Sequence, residues 1–144
     1  MTVIVFQVKE YRCALRAEEV EELLPMAKLS KTPGMPPSME GMLNIGGKIV
    51  PIFRMERLFG VADIPFGLYT PLLLVKTEKG TIGFVIEKAL GVHTVEPKHV
   101  AALKSETGSA DLMDAEITIN DERVSLLSIR KLMQREQLAE AIAA

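Results

Sequence analysis

The chain has 144 residues, 17 basic and 19 acidic side chains for a net charge of −2, and 48% hydrophobic residues with 5% aromatics and no Trp. This is one ordinary domain's worth, able to bury about two thirds of its unfolded surface around an aliphatic core. The mixed charges supply no phosphate-neutralising surface and the scarcity of aromatics no stacking platform, which excludes nucleic acid as an expected partner. The longest apolar run, residues 72–75, falls far short of the ~18 residues of a membrane span. Cys13 is the single cysteine and cannot form an internal disulfide, so a reducing cytoplasm is expected. Val3 and Val5 start an alternating pattern at once, where a secretory leader would show a basic stretch and then an apolar one.

In chain order, short strand signals come in pairs, the pattern of meandering antiparallel sheet. Val3, Val5 and Val8 lead to a polar turn at Lys9-Glu10, and Tyr11, Cys13 and Leu15 alternate on the return. Residues 17–24, with Val20, Leu23 and Leu24 among four glutamates, predict a short amphipathic helix or helical turn that Pro25 limits. Pro33, Gly34, Pro36 and Pro37 exclude a regular element before Gly41. Residues 42–45 and 48–53 then form two strands about Gly46-Gly47, a two-residue turn that needs positive φ at both positions. Pro51 lacks a donor, which places its strand at an edge or a bulge. Residues 55–59 make a helical turn closed by Gly60. After a loop holding Pro65 and Gly67, strands are predicted over residues 71–77, 81–86 and 91–96. Residues 98–114 predict a surface loop with a helical turn, and residues 117–119 and 124–127 a further hairpin. A last helix is expected from about residue 128 to 142, capped by Ser128, with Ile129, Leu132, Met133, Ala139 and Ile142 on its apolar face. Nine or ten short strands, divided near residues 60–69, make a mainly β chain that is either one sandwich or two small barrels.

Catalytic chemistry has no candidate constellation. Gly46-Gly47-Lys48 is a near miss to a phosphate-binding loop, but Ile49 stands where a Ser or Thr must hold magnesium and a strand follows in place of a helix. His93 and His99, six apart across Pro97, have no cysteine nearby to complete a metal set. Cys13 lies on an alternating strand with no adjacent histidine, the pattern of a buried apolar cysteine. Glu18, Glu19, Glu21 and Glu22 read as a solvated face. No metal and no cofactor are expected. The eight methionines read as core filler, with adaptable partner contacts as the alternative.

The run from Gly41 to Met55 carries a family resemblance. Gly41, Asn44, Gly47, Ile49, Val50, Pro51 and Ile52 resemble the signature of the CheW family of chemotaxis coupling proteins, and Met39 fills the apolar position just before its glycine. The likeness extends over nearly the whole chain. Val5-Phe6-Gln7-Val8 and the Val20-Glu21-Glu22 step resemble the family's opening, Ile82-Gly83-Phe84-Val85-Ile86 its later glycine-bearing strand, and Asp121 to Met133 its closing hairpin and helix start.

The resemblance implies a single CheW-like domain over residues 1–144: two small five-stranded β-barrel lobes, at about 1–60 and 68–128, with short helices and a C-terminal helix at about 128–142. It implies a non-enzymatic adaptor, cytoplasmic and peripheral to membrane receptor arrays, that couples the cytoplasmic tip of a chemoreceptor to the regulatory domain of a CheA-type histidine kinase. Gly41, Asn44, Gly47 and Pro51 would hold the fold signature. Val20, Glu22, Gly46, Leu72, Gly83 and Val92 would be the partner-binding positions, with Leu72, Gly83 and Val92 near the seam between lobes; an aromatic at Gly83 is expected to weaken receptor coupling without unfolding the domain. Three departures stand out. Gly46 replaces an arginine associated with the receptor-facing surface, Arg54 replaces an acidic residue and so is expected to alter partner choice more than folding, and Glu87-Lys88-Ala89-Leu90 replaces an aspartate-valine step. They suggest a module of a non-chemotactic chemosensory-type pathway as one alternative. A small ligand-binding β-barrel or enzyme is the other.

Overall fold

The computed structural model describes residues 1–103 and 111–135. Eleven strands are found among them: β1 (Thr2–Val8), β2 (Tyr11–Arg16), β3 (Val20–Pro25), β4 (Met39–Ile45), β5 (Lys48–Arg54), β6 (Pro71–Thr77), β7 (Gly80–Val85), β8 (Lys88–Thr94), β9 (Val100–Ala102), β10 (Met113–Ile119) and β11 (Glu122–Leu127). Two short helices, α1 (Met55–Phe59) and α2 (Ile129–Gln134), accompany them. The expected hairpins β1–β2, β4–β5, β6–β7 and β10–β11 all form.

The strands make a six-stranded sheet in the order β8-β1-β2-β11-β10-β9 and a five-stranded sheet in the order β3-β6-β7-β5-β4. Neither closes into a barrel. The sheets are nested in sequence, and residues 60–69 connect β5 to β6 within the five-stranded sheet. The joints that cause this are the parallel pairings of β2 with β11 (Cys13↔Ser125, Ala14↔Leu126) and of β5 with β7 (Ile52↔Gly83 to Arg54↔Val85). Parallel neighbours need long crossovers, and nothing in a strand's alternation shows which distant strand it meets.

Residues 17–24 are not a helix. A 3-10 turn at Ala17–Glu19 leads into β3, which pairs antiparallel with β6 from Val20↔Val75 to Pro25↔Pro71, with a bulge between Val20 and Glu22. The ladder to an aliphatic neighbour outweighs the weak helical preference of a glutamate-rich stretch. The loop expected at residues 98–114 contains a further strand, β9, paired with β10. α2 begins at the Ser128 cap, whose hydroxyl oxygen accepts from the Lys131 amide at 3.2 Å; the expected apolar positions Ala139 and Ile142 lie outside the described residues.

Both faces of the inner strands are apolar, which is how two sheets share one core and keep one each. On β6, Leu73 and Val75 join the central cluster with Phe6, Leu15, Phe53, Phe84 and Leu132, while Leu72 and Leu74 turn the other way onto Leu43, Val50, Ile52 and Val85. In the six-stranded sheet, Val3, Val5, Ala14, Ile117, Val124 and Leu126 form the corresponding private cluster.

The signature residues are explained by this framework. A Cβ at Gly41 would lie 2.8 Å from the Ser30 carbonyl oxygen and 2.9 Å from Leu29 Cβ, because the chain at Ser30 bridges β4 through both backbone bonds to Met42. Gly46 and Gly47 have φ of 56° and 87°, and the Asn44 side-chain oxygen accepts from the Gly47 amide at 2.9 Å. β5 is an inner strand, yet Pro51 pairs only with Met42, one residue before the ladder to β7 begins at Ile52. Its missing donor costs nothing there.

Candidate interaction surface

β3, β7 and β5 run in the same direction, since β6 is antiparallel to both β3 and β7 and β7 is parallel to β5. Their first residues therefore gather at one end of the five-stranded sheet. A polar chain ties that end together: Lys48 Nζ donates to Thr81 Oγ1 at 3.1 Å, and Thr81 Oγ1 donates to Glu21 Oε1 at 2.7 Å. Val20 and Gly46, two of the predicted partner-binding residues, lie towards this end but on opposite sides of the sheet, and Glu22 lies further along β3, paired with Leu74. Three exposed aliphatic side chains were passed over in the sequence: Ile45 (38%) and Ile49 (55%), which flank the Gly46 turn, and Leu23 (46%), which pairs with Leu73 part-way along β3 at the opposite edge of the sheet. Their signal was present as apolar residues on the outward positions of edge and hairpin strands.

The other three predicted residues are not part of this group. Leu72 is fully buried in the private cluster of the five-stranded sheet. Gly83 is buried too, and a Cβ there would fall 2.5 Å from Ile52 Cδ1 and 2.8 Å from Leu74 Cδ2. An aromatic at Gly83 therefore strikes the core, so it cannot test partner binding without disturbing the fold. Val92 is 65% exposed, but on β8, the free edge of the other sheet.

Arg54 is not a surface charge. It is 3% exposed, donates to Glu56 Oε2 from Nε at 3.2 Å and from Nη2 at 2.5 Å, and also donates to the Ile64 carbonyl oxygen. Glu56 further accepts from the Ile64 amide at 3.0 Å. Arg57 extends the network with a two-pronged contact to Asp63 at 3.2 and 2.8 Å and a bond to Glu40 at 3.1 Å. Arg57 lowers the Asp63 carboxyl below its usual range, chiefly by this hydrogen bonding. The expected effect of Arg54 on partner choice is thus replaced by an internal role: its charge is consumed by Glu56, two residues on.

Against the six-stranded sheet, beside α1, lies an open cavity of about 330 Å³ lined by Tyr11, Cys13, Phe59, Leu112, Met113 and Leu127, with Ser125 and Arg135 also at its wall. Tyr11 and Phe59 meet edge to face at 5.6 Å between ring centroids. Burial pushes the Cys13 thiol up to about 12, so it is a packing group and a poor nucleophile. Among the described residues no cluster of His, Cys, Asp and Glu could hold a metal ion, and no helix is long and apolar enough to cross a membrane.

Among the described residues the buried charges pair with one another and several large apolar side chains stay exposed, the composition of an interaction surface on a mainly β module. The comparisons with known proteins agree. The chain belongs to the CheW-like domain family, which it matches over residues 2–137. That is a family of chemotaxis-type adaptors and scaffolds, not of enzymes. A chemotaxis protein CheW of Bacillus subtilis (strain 168) is 18% identical over 141 residues, covering 96% of this chain and 90% of the relative. The crystal structure of the scaffolding protein TtCheW from Thermoanaerobacter tengcongensis superposes with a TM-score of 0.86 at 18% identity, covering 95% of this chain and 97% of that one.

Proposed function

We propose that this chain couples the cytoplasmic tip of a chemoreceptor to the regulatory domain of a CheA-type histidine kinase, as a cytoplasmic adaptor peripheral to membrane receptor arrays. The observation that carries the reading is two groups of exposed aliphatics on the five-stranded sheet, Ile45 and Ile49 at the Gly46 turn and Leu23 beside Val20 and Glu22 on the β3 edge. Contact surfaces of this kind take their affinity from a few well-buried apolar anchors. The kinase domain is assigned to these aliphatics. The receptor's helical tip is assigned to the seam between the lobes and to the tip of the β4–β5 turn at Gly46, with Leu72 and Gly83 shaping the five-stranded sheet from beneath and Val92 flanking on β8.

The test is titration calorimetry with the regulatory domain of the kinase from the same cell. Leu23→Asp and Ile49→Asp each lower affinity by about tenfold, the equivalent of ~1.4 kcal/mol, while melting stays near the parent. Unchanged affinity in both variants removes the kinase from these aliphatics. Gly46 favours a second reading, a CheW-like module of another chemosensory-type pathway, because it lacks the arginine associated with receptor contact. Equal capture by general receptors of this chain and its Gly46→Arg variant would dismiss that second reading.

A further inference from the structure

The six-stranded sheet curls until its two edges share one core. Leu90 on β8 and Val100 on β9, the strands at its opposite edges, both pack against the cluster that holds Val3, Val5, Ala14 and Ile117. Residues paired across neighbouring strands send their side chains to the same face, so the register tells what else lies on this concave side. The pair Val3↔His93 places His93 there, and Ile117↔Val124 and Ile119↔Glu122 place Ile119 and Glu122. Arg12 joins them as the residue two before Ala14 on β2.

At the end of that face where β2 and β11 begin, a recess of about 250 Å³ opens. Its floor is apolar, formed by Val5, Leu90, Ile119 and Val124, and its polar members are Arg12, His93, Asn120 and Glu122. Val5 and Val124 are buried in the sheet's own cluster, so the floor is part of the core. Arg12 and Glu122 form an ion pair from β2 to β11, with side chains 39% and 57% exposed. An exposed pair of this kind adds little to stability and opens readily. The turn at Asn120-Asp121, with φ of 51° and 63°, fixes where Glu122 stands opposite Ile119. A mainly apolar space with a few convergent polar groups at the mouth of a curled sheet is the usual form of a small-ligand site.

Size and charge choose the occupant. At ~30 Å³ of liquid volume per water, the recess takes about eight non-hydrogen atoms. Both signs of charge stand at its rim, in contact with each other. A monocarboxylate placed there would meet Arg12 but face the like charge of Glu122, and an amine would meet Glu122 but face Arg12. A zwitterion answers both, and the carboxylate and ammonium of an α-amino acid hang from one carbon, as close together as the pair they would part. We infer that the recess binds a free aliphatic α-amino acid of the size of valine or leucine. Its carboxylate lies on the Arg12 guanidinium, its ammonium on the Glu122 carboxylate and its side chain on Val5, Leu90, Ile119 and Val124. The bound molecule spans from β8 to the β10–β11 hairpin, and a ligand taken up by the folded state alone raises its stability.

The experiment titrates the isotopically labelled full chain with L-leucine, with neither receptor nor kinase present, so its outcome is independent of the reading under Proposed function. Leucine is expected to bind in the millimolar range, as suits so small a ligand, to shift the amide signals of Arg12, His93, Asn120 and Val124, and to raise the melting temperature. 4-Methylpentanoate, which is leucine without its ammonium, and 3-methylbutylamine, which lacks the carboxylate, each bind about tenfold more weakly. Arg12→Gln and Glu122→Gln, both at partly exposed side chains, keep parental melting without ligand, and each lowers leucine affinity about tenfold. In Glu122→Gln, leucine and 4-methylpentanoate bind alike. Tryptophan, too large for the space, does not bind. The inference is overturned by no shift at these residues with leucine at about 50 mM, well above a millimolar Kd. Equal binding of leucine and 4-methylpentanoate by the parent chain, leucine affinity unmoved in both variants, or tryptophan binding as well as leucine overturns it too.

Discussion

Replacing Arg54 by methionine separates an internal charge from a partner-facing one. The guanidinium supplies two of the three donors on Glu56, whose side chain is 2% exposed, and the variant leaves that carboxylate with the Ile64 amide alone. Glu40, 8% exposed at its side chain, keeps Arg57 at 3.1 Å but loses the Arg54 charge at 3.9 Å. Stranding one member of a buried ion pair costs about 3–5 kcal/mol, whereas replacing both members by packed apolar groups is often neutral. The Arg54→Met variant is therefore expected to lose about 3–5 kcal/mol in urea unfolding at neutral pH, a drop of roughly 10–15 °C in melting for a chain of this size. Arg54→Met/Glu56→Met recovers most of it. Kinase affinity, measured well below the melting transition, stays at the parental value. A loss under about 1 kcal/mol, or a double variant no better than the sum of the singles, refutes the buried-pair argument. A normal fold with altered kinase affinity would return Arg54 to the partner surface.

Gly41→Ala drives a Cβ against the backbone of Ser30, which cannot rotate away as a side-chain end can. About 1–3 kcal/mol of stability is expected to go, together with hydrogen-exchange protection of the Met42 and Ser30 amides. The Glu19 carboxyl is raised, first by burial, so its folded value lies above the unfolded one, near 4.3. The folded state then binds the extra proton, stability falls as pH rises through that window, and Glu19→Gln gains stability at pH 7 but not at pH 3, read from paired urea curves. Asp63 has the opposite sign, because Arg57 lowers its folded value. Its contribution is present above the unfolded carboxylate value of about 3.9 and is lost as pH falls through the lower folded one, so Asp63→Asn weakens the fold at neutral pH and converges with the parent in acid.

What was legible in the sequence was local. Turn glycines, prolines and period-two alternation located the hairpins to within a residue or two, because each reports a backbone constraint met by neighbours in the chain. Ser128 announced α2 in the same way. Residues 17–24 misled because four glutamates and three aliphatics fit a helical face as well as a bulged edge strand, and only β6, some fifty residues away, decides between them. The nesting of the two sheets was illegible for the same reason: Cys13↔Ser125 and Ile52↔Gly83 are parallel contacts that no local pattern encodes. The charge network was hidden because Glu40, Arg54, Glu56, Arg57 and Asp63 look like ordinary surface residues until α1 folds them against one another.

That network changes what the family signature says about partners. Two departures from it lie in or beside the β4–β5 hairpin, and the sequence gives them equal standing. The structure does not. Arg54 is buried and answered by Glu56, so its reversed charge is settled within the fold and offers nothing to a passing protein. Gly46 sits at the tip of the turn, and a Cβ built there meets no atom within 4 Å. An arginine placed at Gly46 would project into open space at the turn that Ile45 and Ile49 flank, at a left-handed backbone cost of about 1–2 kcal/mol. Gly46→Asn carries a reduced version of that backbone cost without the charge. If Gly46→Arg strengthens receptor capture and Gly46→Asn does not, the missing guanidinium is what sets this chain apart; if both behave alike, the backbone of the turn accounts for the change and the difference in partner must be sought on β8.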